Sequence, residues 1–570
     1  GHAALFAGRQ ASTFVVSAHA PHARIEAAAL ALVELVARLR EVALDDEELA
    51  RARAVLESDV VYRRETVHGQ AHALGYYLSL CDDIELDRVY LDRLAELRAV
   101  DVRSAAIERL DPRRAALALV VPKSAFTAAE ANALTKRLRT ALQGERPARR
   151  RPATARVRID RHGFALAELA SGVKVRMAVD RSLPMLAGWI VWPGGQRIEP
   201  ARDSGASALT AALLTRGSQE RDGDTLAREI EGRAAVLDGL SARSSMGMHL
   251  ECLARDGETV LRRALECALG PALAEVEFER ERRIALDEIV AERDDLATLA
   301  FHAAAAKLYG THPYGRRRRG TVESLRGLDR GDLQRLWRDG YPIGRATIGL
   351  CGDFDPRTTV ELLDAMIGRS PPVGPLGRLP GRAPKRPADL KPVRIRRARE
   401  QAHVVLAWPG LVIGDPRTAT LEVLTTILGG QAGRLFAALR EDEGLVYHVS
   451  ASSSEGIDAG HVSFYAAASQ DKLARARAAL ERERDRICRE PPSSAELERA
   501  QAWILGQSEA SLQRRSRVAS LLAFNEMFGL GHAEHLAHAA KIRAVRAADV
   551  QALARALLRS DRQVTAIAAG

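Results

Sequence analysis

The chain is poor in aromatic residues, lysine and cysteine, and it has no long apolar run. Aromatics make up only 4% of 570 residues, too few for the base-stacking platforms of a single-strand nucleic-acid binder. Of 84 basic residues only 8 are lysine, while arginine and alanine recur throughout. The net charge of +10 therefore reflects composition more than one dedicated basic face, and nucleic acid is not an expected partner. Cys81, Cys252, Cys267, Cys351 and Cys488 are odd in number and far apart, with no C-x-x-C. That argues against a disulfide framework or a cysteine zinc site and is compatible with a reducing compartment. No run approaches the ~18 apolar residues of a membrane helix, so no membrane span is expected. No charged-then-apolar leader follows Gly1, and Ala11 to Ala18 already reads as a strand.

What is present is length and internal order. A single core rarely grows past about 250–300 residues, so this chain predicts three or four packed units. Two stretches read as linkers: the basic, proline-bearing Gln143 to Pro152, and Pro371 to Pro392 with seven prolines. They divide the chain into 1–142, a linker 143–159, a middle domain 160–368, a Pro-rich strap 369–392 and a last domain 393–570. Shifted by 448, the first segment falls on the last. Glu48-Leu49 meets Glu496-Leu497, Arg51-Ala52 meets Arg499-Ala500, Ala71 meets Ala519, and Asp101-Val102 meets Asp549-Val550. The closing runs Leu117–Val121 and Thr565–Ala569 also align, so the two segments read as copies of one domain. Helices are predicted over Ile25–Leu39 and from Glu47 to Val61. Strands are predicted at Val173–Val179, Met185–Val191 and Ala346–Cys351, with a helix near Gly205–Leu214. Helices beside antiparallel strands define an α+β class, with helices on one sheet face.

Several strings then fall in a telling order. Leu183-Pro184, Gly194-Gly195, Gly205 to Gly217, Phe278-Glu-Arg-Glu-Arg-Arg-Ile284, Thr311-His-Pro-Tyr-Gly315 and Gly352-Asp-Phe-Asp355 come first. Leu428-Gly-Gly-Gln-Ala-Gly-Arg-Leu435 and Leu439-Arg-Glu-Asp-Glu-Gly-Leu-Val-Tyr-His-Val449 follow. Together they resemble the third and fourth domains of the pitrilysin/insulinase family of zinc metallopeptidases. The resemblance implies four similar α+β domains in two halves that close like a clam shell on a peptide, the peptide adding as a strand to a sheet edge. It also implies a zinc motif H-x-x-E-H on a helix, with a glutamate further on. Histidines at i and i+4 share one helical face, and the glutamate between them activates the metal-bound water. In the equivalent helix here, those three positions are Ala208, Ala212 and, for the glutamate, Ala211; Glu288 stands where the further ligand would lie. No H-x-x-E-H occurs elsewhere in the chain, so no catalytic or metal residue is expected within it.

The expected function is the substrate-enclosing, C-terminal part of a zinc metalloendopeptidase. Zinc and its ligands would come from a domain upstream of Gly1, and the partners would be peptide substrate and that missing domain or a catalytic partner subunit. A non-catalytic partner or scaffold subunit is the alternative. The family occurs in cytoplasmic and exported forms, which leaves localisation open. By the same resemblance, Arg440 and Tyr447 bind substrate as donors aimed at developing negative charge; otherwise they are a surface arginine and a core tyrosine. Gly429 and Gly430, with Gly433, form either a substrate-contacting loop or a helix-entry turn needing positive φ. The groups His68/His72 and His532/His535/His538 read as solvated or chamber-lining helix faces more readily than as metal sites. His312 reads as structural. The runs Arg149–Arg151 and Arg316–Arg319 read as solvated loop charge more readily than as a patch for acidic peptides.

Overall fold

The computed structural model of the chain describes residues 2–6, 13–18, 28, 39, nearly all of 44–110, 156–367, most of 383–397 and 400–570. Most of the predicted helix 25–39, the closing strand 117–121, most of the linker 143–159 and much of the strap 369–392 lie outside the described residues. The chain forms two compact units, residues 1–149 with 232–234, and the rest.

In the first unit, strands β1 (His2–Phe6) and β2 (Thr13–Ser17) pair antiparallel. Four helices follow: α1 (Asp46–Arg63), α2 (Val67–Cys81), α3 (Leu86–Glu96) and α4 (Ala99–Arg109). Helix α1 begins where the Asp45-Asp46 pair predicts a start. Leu49, Val60 and Val61 of α1, Leu94 of α3 and Ala106 of α4 are buried.

The second unit holds two sheets. The first has seven strands: β3 (Arg158–Ile159), β4 (Ala165–Glu168), β5 (Lys174–Val179), β6 (Met185–Pro193), β7 (Val236–Ser241), β8 (Ser245–Leu253) and β9 (Thr347–Gly352). Their order is β3-β4-β5-β9-β6-β8-β7. The second has five: β10 (Val393–Arg396), β11 (Gln401–Gly410), β12 (His448–Ser454), β13 (Gly460–Ser469) and β14 (Val564–Ala569). Their order is β10-β14-β11-β13-β12. The α+β class holds, with one refinement: each sheet carries one parallel pair, β5 with β9 and β10 with β14.

Side-chain alternation explains a second refinement. Along β11, Val404, Leu406 and Trp408 enter one cluster, while Val405 and Ala407 enter another on the opposite face. Both faces are apolar, so both must be covered. The sheets' own helices pack on one face: α5 (Ala206–Leu213), α6 (Gly257–Leu269) and α9 (Pro356–Ile367) on the first, α10 (Thr418–Gly429) and α11 (Leu473–Arg489) on the second. The other face of each sheet is covered by a helix from the chain segment that carries the other sheet. After α7 (Glu275–Ala291), α8 (Leu296–Tyr309) crosses to lie on β11 and β14. After α12 (Ser494–Leu512), α13 (Arg515–Met527) crosses to lie on β9, β6 and β5. The approach of α13 is close enough to require glycine: a Cβ on Gly349 would stand 2.2 Å from the carbonyl oxygen of Ala519. Helices α14 (His538–Arg543) and α15 (Ala547–Leu557) follow before β14.

Polar contacts lock this exchange. Glu526 on α13 receives Lys174 at 2.8 Å and Arg176 at 3.0 Å, and Arg515 bonds Asp180 at 2.7 Å. On the α8 side, Arg197 and His312 both meet Oδ2 of Asp458, at 2.8 and 3.2 Å. All three are buried, and burial above all pushes the His312 pKa down. His312 is therefore structural, as its turn suggested.

The offset of 448 reappears in the element bounds. Shifted by it, β1 and β2 fall within β12 and β13, and the pair His2↔Ser17 becomes Ser450↔Tyr465, which is observed. In the same way α1 falls on α12, α2 on α13 and α4 on α15.

Candidate site: an alanine cavity and an exposed donor pair

Helix α5 starts at Gly205, whose φ of +96° favours glycine. A Cβ there would also stand 2.5 Å from the carbonyl oxygen of Arg319. The first N–H groups of the helix are taken by Glu199, which accepts from Ser207 N at 2.7 Å and Gly205 N at 3.1 Å. Burial raises the Glu199 pKa to about 6 despite those bonds.

Ala208, Ala211 and Ala212 line a cavity of about 330 Å³ together with Glu281, Glu288 and Arg319. Topology thus brings Glu288 of α7, 76 residues beyond Ala212 in the sequence, to the alanine face of α5. The cavity holds a cation already. Arg319 places Nε 2.9 Å from Glu288 Oε2 and Nη1 2.9 Å from Glu292 Oε1. Glu281 is engaged by Arg216 at 2.8 Å. Methyl groups offer no lone pair, and among the described residues no three His, Cys, Asp or Glu side chains converge in a metal-holding group. The residues of this cavity do not fit zinc.

Arg319 belongs to the run read as solvated charge, and that reading needs correction. Arg316 donates to the Glu199 carbonyl at 2.9 Å and Arg318 to the Ser241 carbonyl at 3.4 Å. The run binds down onto the domain because backbone carbonyls and the Glu288/Glu292 pair lie beneath it. Arg149–Arg151 lies outside the described residues.

Arg440 and Tyr447 do not line the alanine cavity. Arg440 lies in a widened helical turn, Ala437–Asp442, with its guanidinium 5.2 Å from the centre of the Phe436 ring. Tyr447 precedes β12, an edge strand, and its backbone N–H donates to Ala467 O at 2.8 Å. Its side chain is 60% exposed, so it is not a core tyrosine. Arg440 is exposed as well, so both donors face outward at the sheet's open edge.

Gly429 ends α10, and a Cβ on it would stand 2.5 Å from Ala451 N of β12. Gly430 follows at φ −69°, and neither Gly429, Gly430 nor Gly433 has positive φ. The positive-φ reading therefore fails; Gly429 is small because the helix meets the strand there. The histidines also find partners. His532 bonds Asp160 at 2.8 Å and His538 bonds Glu422 at 2.8 Å, so these two tie elements together. His68 and His72 are exposed on α2.

Residues 184–322 match the insulinase peptidases of family M16, and residues 327–503 match the peptidase M16 inactive domain. The chain belongs to peptidase family M16. Among M16 relatives, an uncharacterized zinc protease of Streptomyces coelicolor is 26% identical over 399 residues, covering 68% of this chain and 86% of its own. The uncharacterized zinc protease YmxG of Bacillus subtilis is 24% identical, covering 65% of this chain and 90% of its own. Subunit 1 of the mouse mitochondrial cytochrome b-c1 complex is 24% identical over 256 residues, 45% of this chain and 53% of its own. The M16 fold is seen again in a peptidase M16 inactive domain from Pseudomonas fluorescens, with a TM-score of 0.64 and 22% identity over 71% of this chain and 97% of that one.

Proposed function

We propose that this chain is the metal-free, substrate-enclosing part of a zinc metalloendopeptidase and works with a zinc-bearing domain that lies outside these residues. The observation that carries the reading is the alanine cavity: the three motif positions are methyl groups, and the ligand carboxylate Glu288 is held by Arg319. In this reading residues 1–142 and 393–570 are two copies of one domain, and 160–368 is the inactive copy of the metal-bearing one. Arg440 and Tyr447 supply hydrogen-bond donors to the bound peptide, where a tetrahedral oxyanion develops. Gly429 and Gly430 bound the substrate-contacting turn, Gly429 by letting α10 meet β12 and Gly430 by leaving its backbone open to the peptide. The zinc-bearing domain packs its sheet onto α2, as the seven-stranded sheet packs onto α13.

The test is made on the protein purified from its native cells. Zinc bound near stoichiometry, with chelator-sensitive cleavage of a fluorogenic peptide, is the expected result. In that enzyme Tyr447→Phe lowers kcat by about 10²-fold, the typical cost of one oxyanion donor. Unchanged kcat would remove Tyr447 from the role. A protein free of zinc and of cleavage would overturn the whole reading in favour of a second one, a non-catalytic scaffold subunit. The match to a cytochrome b-c1 subunit favours that second reading.

A further inference from the structure

A larger cavity, of about 620 Å³, lies between the two sheets of the second unit. It is bounded by the turn joining β7 to β8, helix α8, strand β11, the arginine run and the end of α13, and it shares Leu240 and Arg318 with the alanine cavity. Its volume is in the range of small-molecule sites, about 300–1,000 Å³. Phe301, Leu308, Val405 and Phe524 give it an apolar floor. Arg243, Arg316 and Arg318 line it as well, against one lining carboxylate, Glu455.

Among the described residues, buried arginines sit on carboxylates, as Arg197 does on Asp458, Arg434 on Glu496 and Arg515 on Asp180. The three at this cavity do not. Among the described residues Arg316 and Arg318 hydrogen-bond backbone carbonyls, and Arg316 also lowers the charge cost of the Glu199 carboxylate beside it. Arg243 reaches His461 Nδ1 at 3.0 Å and Ser454 Oγ at 3.5 Å, with its guanidinium 5.7 Å from the centre of the Tyr309 ring. The Tyr309 hydroxyl lies 3.0 Å from the same His461 nitrogen. Arg243 also hydrogen-bonds the Tyr309 hydroxyl, and the five N–H groups of its guanidinium outnumber these three acceptors. Burial, then Arg243, push the His461 pKa down to about 3, which keeps that ring neutral. Nδ1 of His302, on the cavity wall, is buried with no protein partner among the described residues. Fork-shaped cations with donors to spare, set over a greasy floor, select a planar anion attached to an apolar group.

We propose that this cavity is a binding site for an organic carboxylate that carries an apolar side chain or tail. Arg243 is the central contact, and Arg318 at the exposed mouth guides the anion in. The site is independent of the peptidase reading, because binding is measured without cleavage.

Calorimetric titration of the full chain tests it, with N-acetyl-leucine standing for a peptide's carboxyl terminus and octanoate for a free fatty acid. At least one acid binds with a Kd of about 10–500 µM, and its neutral analogue, N-acetyl-leucinamide or octanol, binds at least about 10-fold more weakly. Whichever acid binds more tightly identifies the source. Arg243→Gln weakens binding about 10-fold or more, and Arg318→Ala about 3-fold with a shallower salt dependence. Arg318 is exposed, so its variant reports on the site even if Arg243→Gln does not fold. Acid and neutral analogue binding alike, no binding by either acid up to about 5 mM, or equal competition by inorganic phosphate would each overturn the proposal.

Discussion

Helices α2 and α13 stand 448 residues apart in the sequence, equal in place and opposite in surroundings. On α13, Ala519, Leu522 and Ala523 are fully buried against the first sheet. Their counterparts on α2 are Ala71, Leu74 and Gly75, all exposed, with Leu74 at 50%. At the next turn Glu526 is held by two cations, while its counterpart Leu78 is 54% exposed. Similar apolar spacing therefore gives a core helix in one place and an open apolar face in the other. Among the described residues, what differs is the presence of a sheet to lie on. A surface helix seldom keeps Val67, Leu74, Tyr76 and Leu78 exposed together without a use for them.

The sharpest break of that comparison is a charge on each face. Leu522→Asp buries an unpaired carboxylate and should cost about 4 kcal/mol or more, read from the urea midpoint of the second unit. Leu74→Asp should cost less than about 0.5 kcal/mol in the isolated chain. It should also abolish association with the zinc-bearing domain of the proposed enzyme, read by co-purification. Equal losses from the two substitutions would show that α2 is already covered, and the comparison would fall.

A smaller effect concerns Glu526. Desolvation opposes its charge, but Arg176 and Lys174 outweigh that and hold its pKa near 2 against an ordinary value of 4.5. A carboxyl whose folded pKa is lowered stabilises the fold above about pH 4.5, and that stabilisation is lost as pH falls towards 2. Glu526→Gln should therefore cost about 2 kcal/mol at pH 7, after allowance for solvent screening, and nearly nothing close to pH 2. Unfolding midpoints across pH measure both limits. Leu78→Gln on α2 should show no such acid dependence.

Much of the architecture was legible in the sequence, because strands and helices repeat their apolar positions locally. Met185 to Val191 reads as a strand, and β6 spans Met185–Pro193; Gly205 to Leu214 reads as a helix, and α5 spans Ala206–Leu213. The exchange of α8 and α13 was not legible. An apolar face states that something covers it, not which domain does so. Arg319 was missed for a related reason. A four-arginine run looks solvated until the fold places Glu288 and Glu292 beneath it. The three alanines at 208, 211 and 212 were found only through their place in a familiar order of motifs, since alanine carries no chemical signal of its own. Tyr447 was visible as a residue type, while its exposure depends on β12 being an edge strand.

The smallest effect sharpens the comparison by removing the neighbour from it. Helices α4 and α15 begin with the same device: Asp101 closes a capping box with Arg98, and Asp549 closes one with Arg546. The backbone N–H at the cap donates at 2.9 Å in α4 and 3.1 Å in α15. Both aspartates are held below the ordinary carboxylate range, first by the side-chain bond to their arginine. Both cap bonds are exposed, so Asp101→Ala and Asp549→Ala should each lower the melting point of their own unit by about 1–3 °C. The two losses should match at neutral pH and shrink together in acid, as both carboxylates protonate. If they match while Leu522→Asp and Leu74→Asp do not, the two segments share their local energetics and differ only in what lies against them. If the caps also diverge, the difference between α2 and α13 has a local cause, and α2 needs no covering sheet.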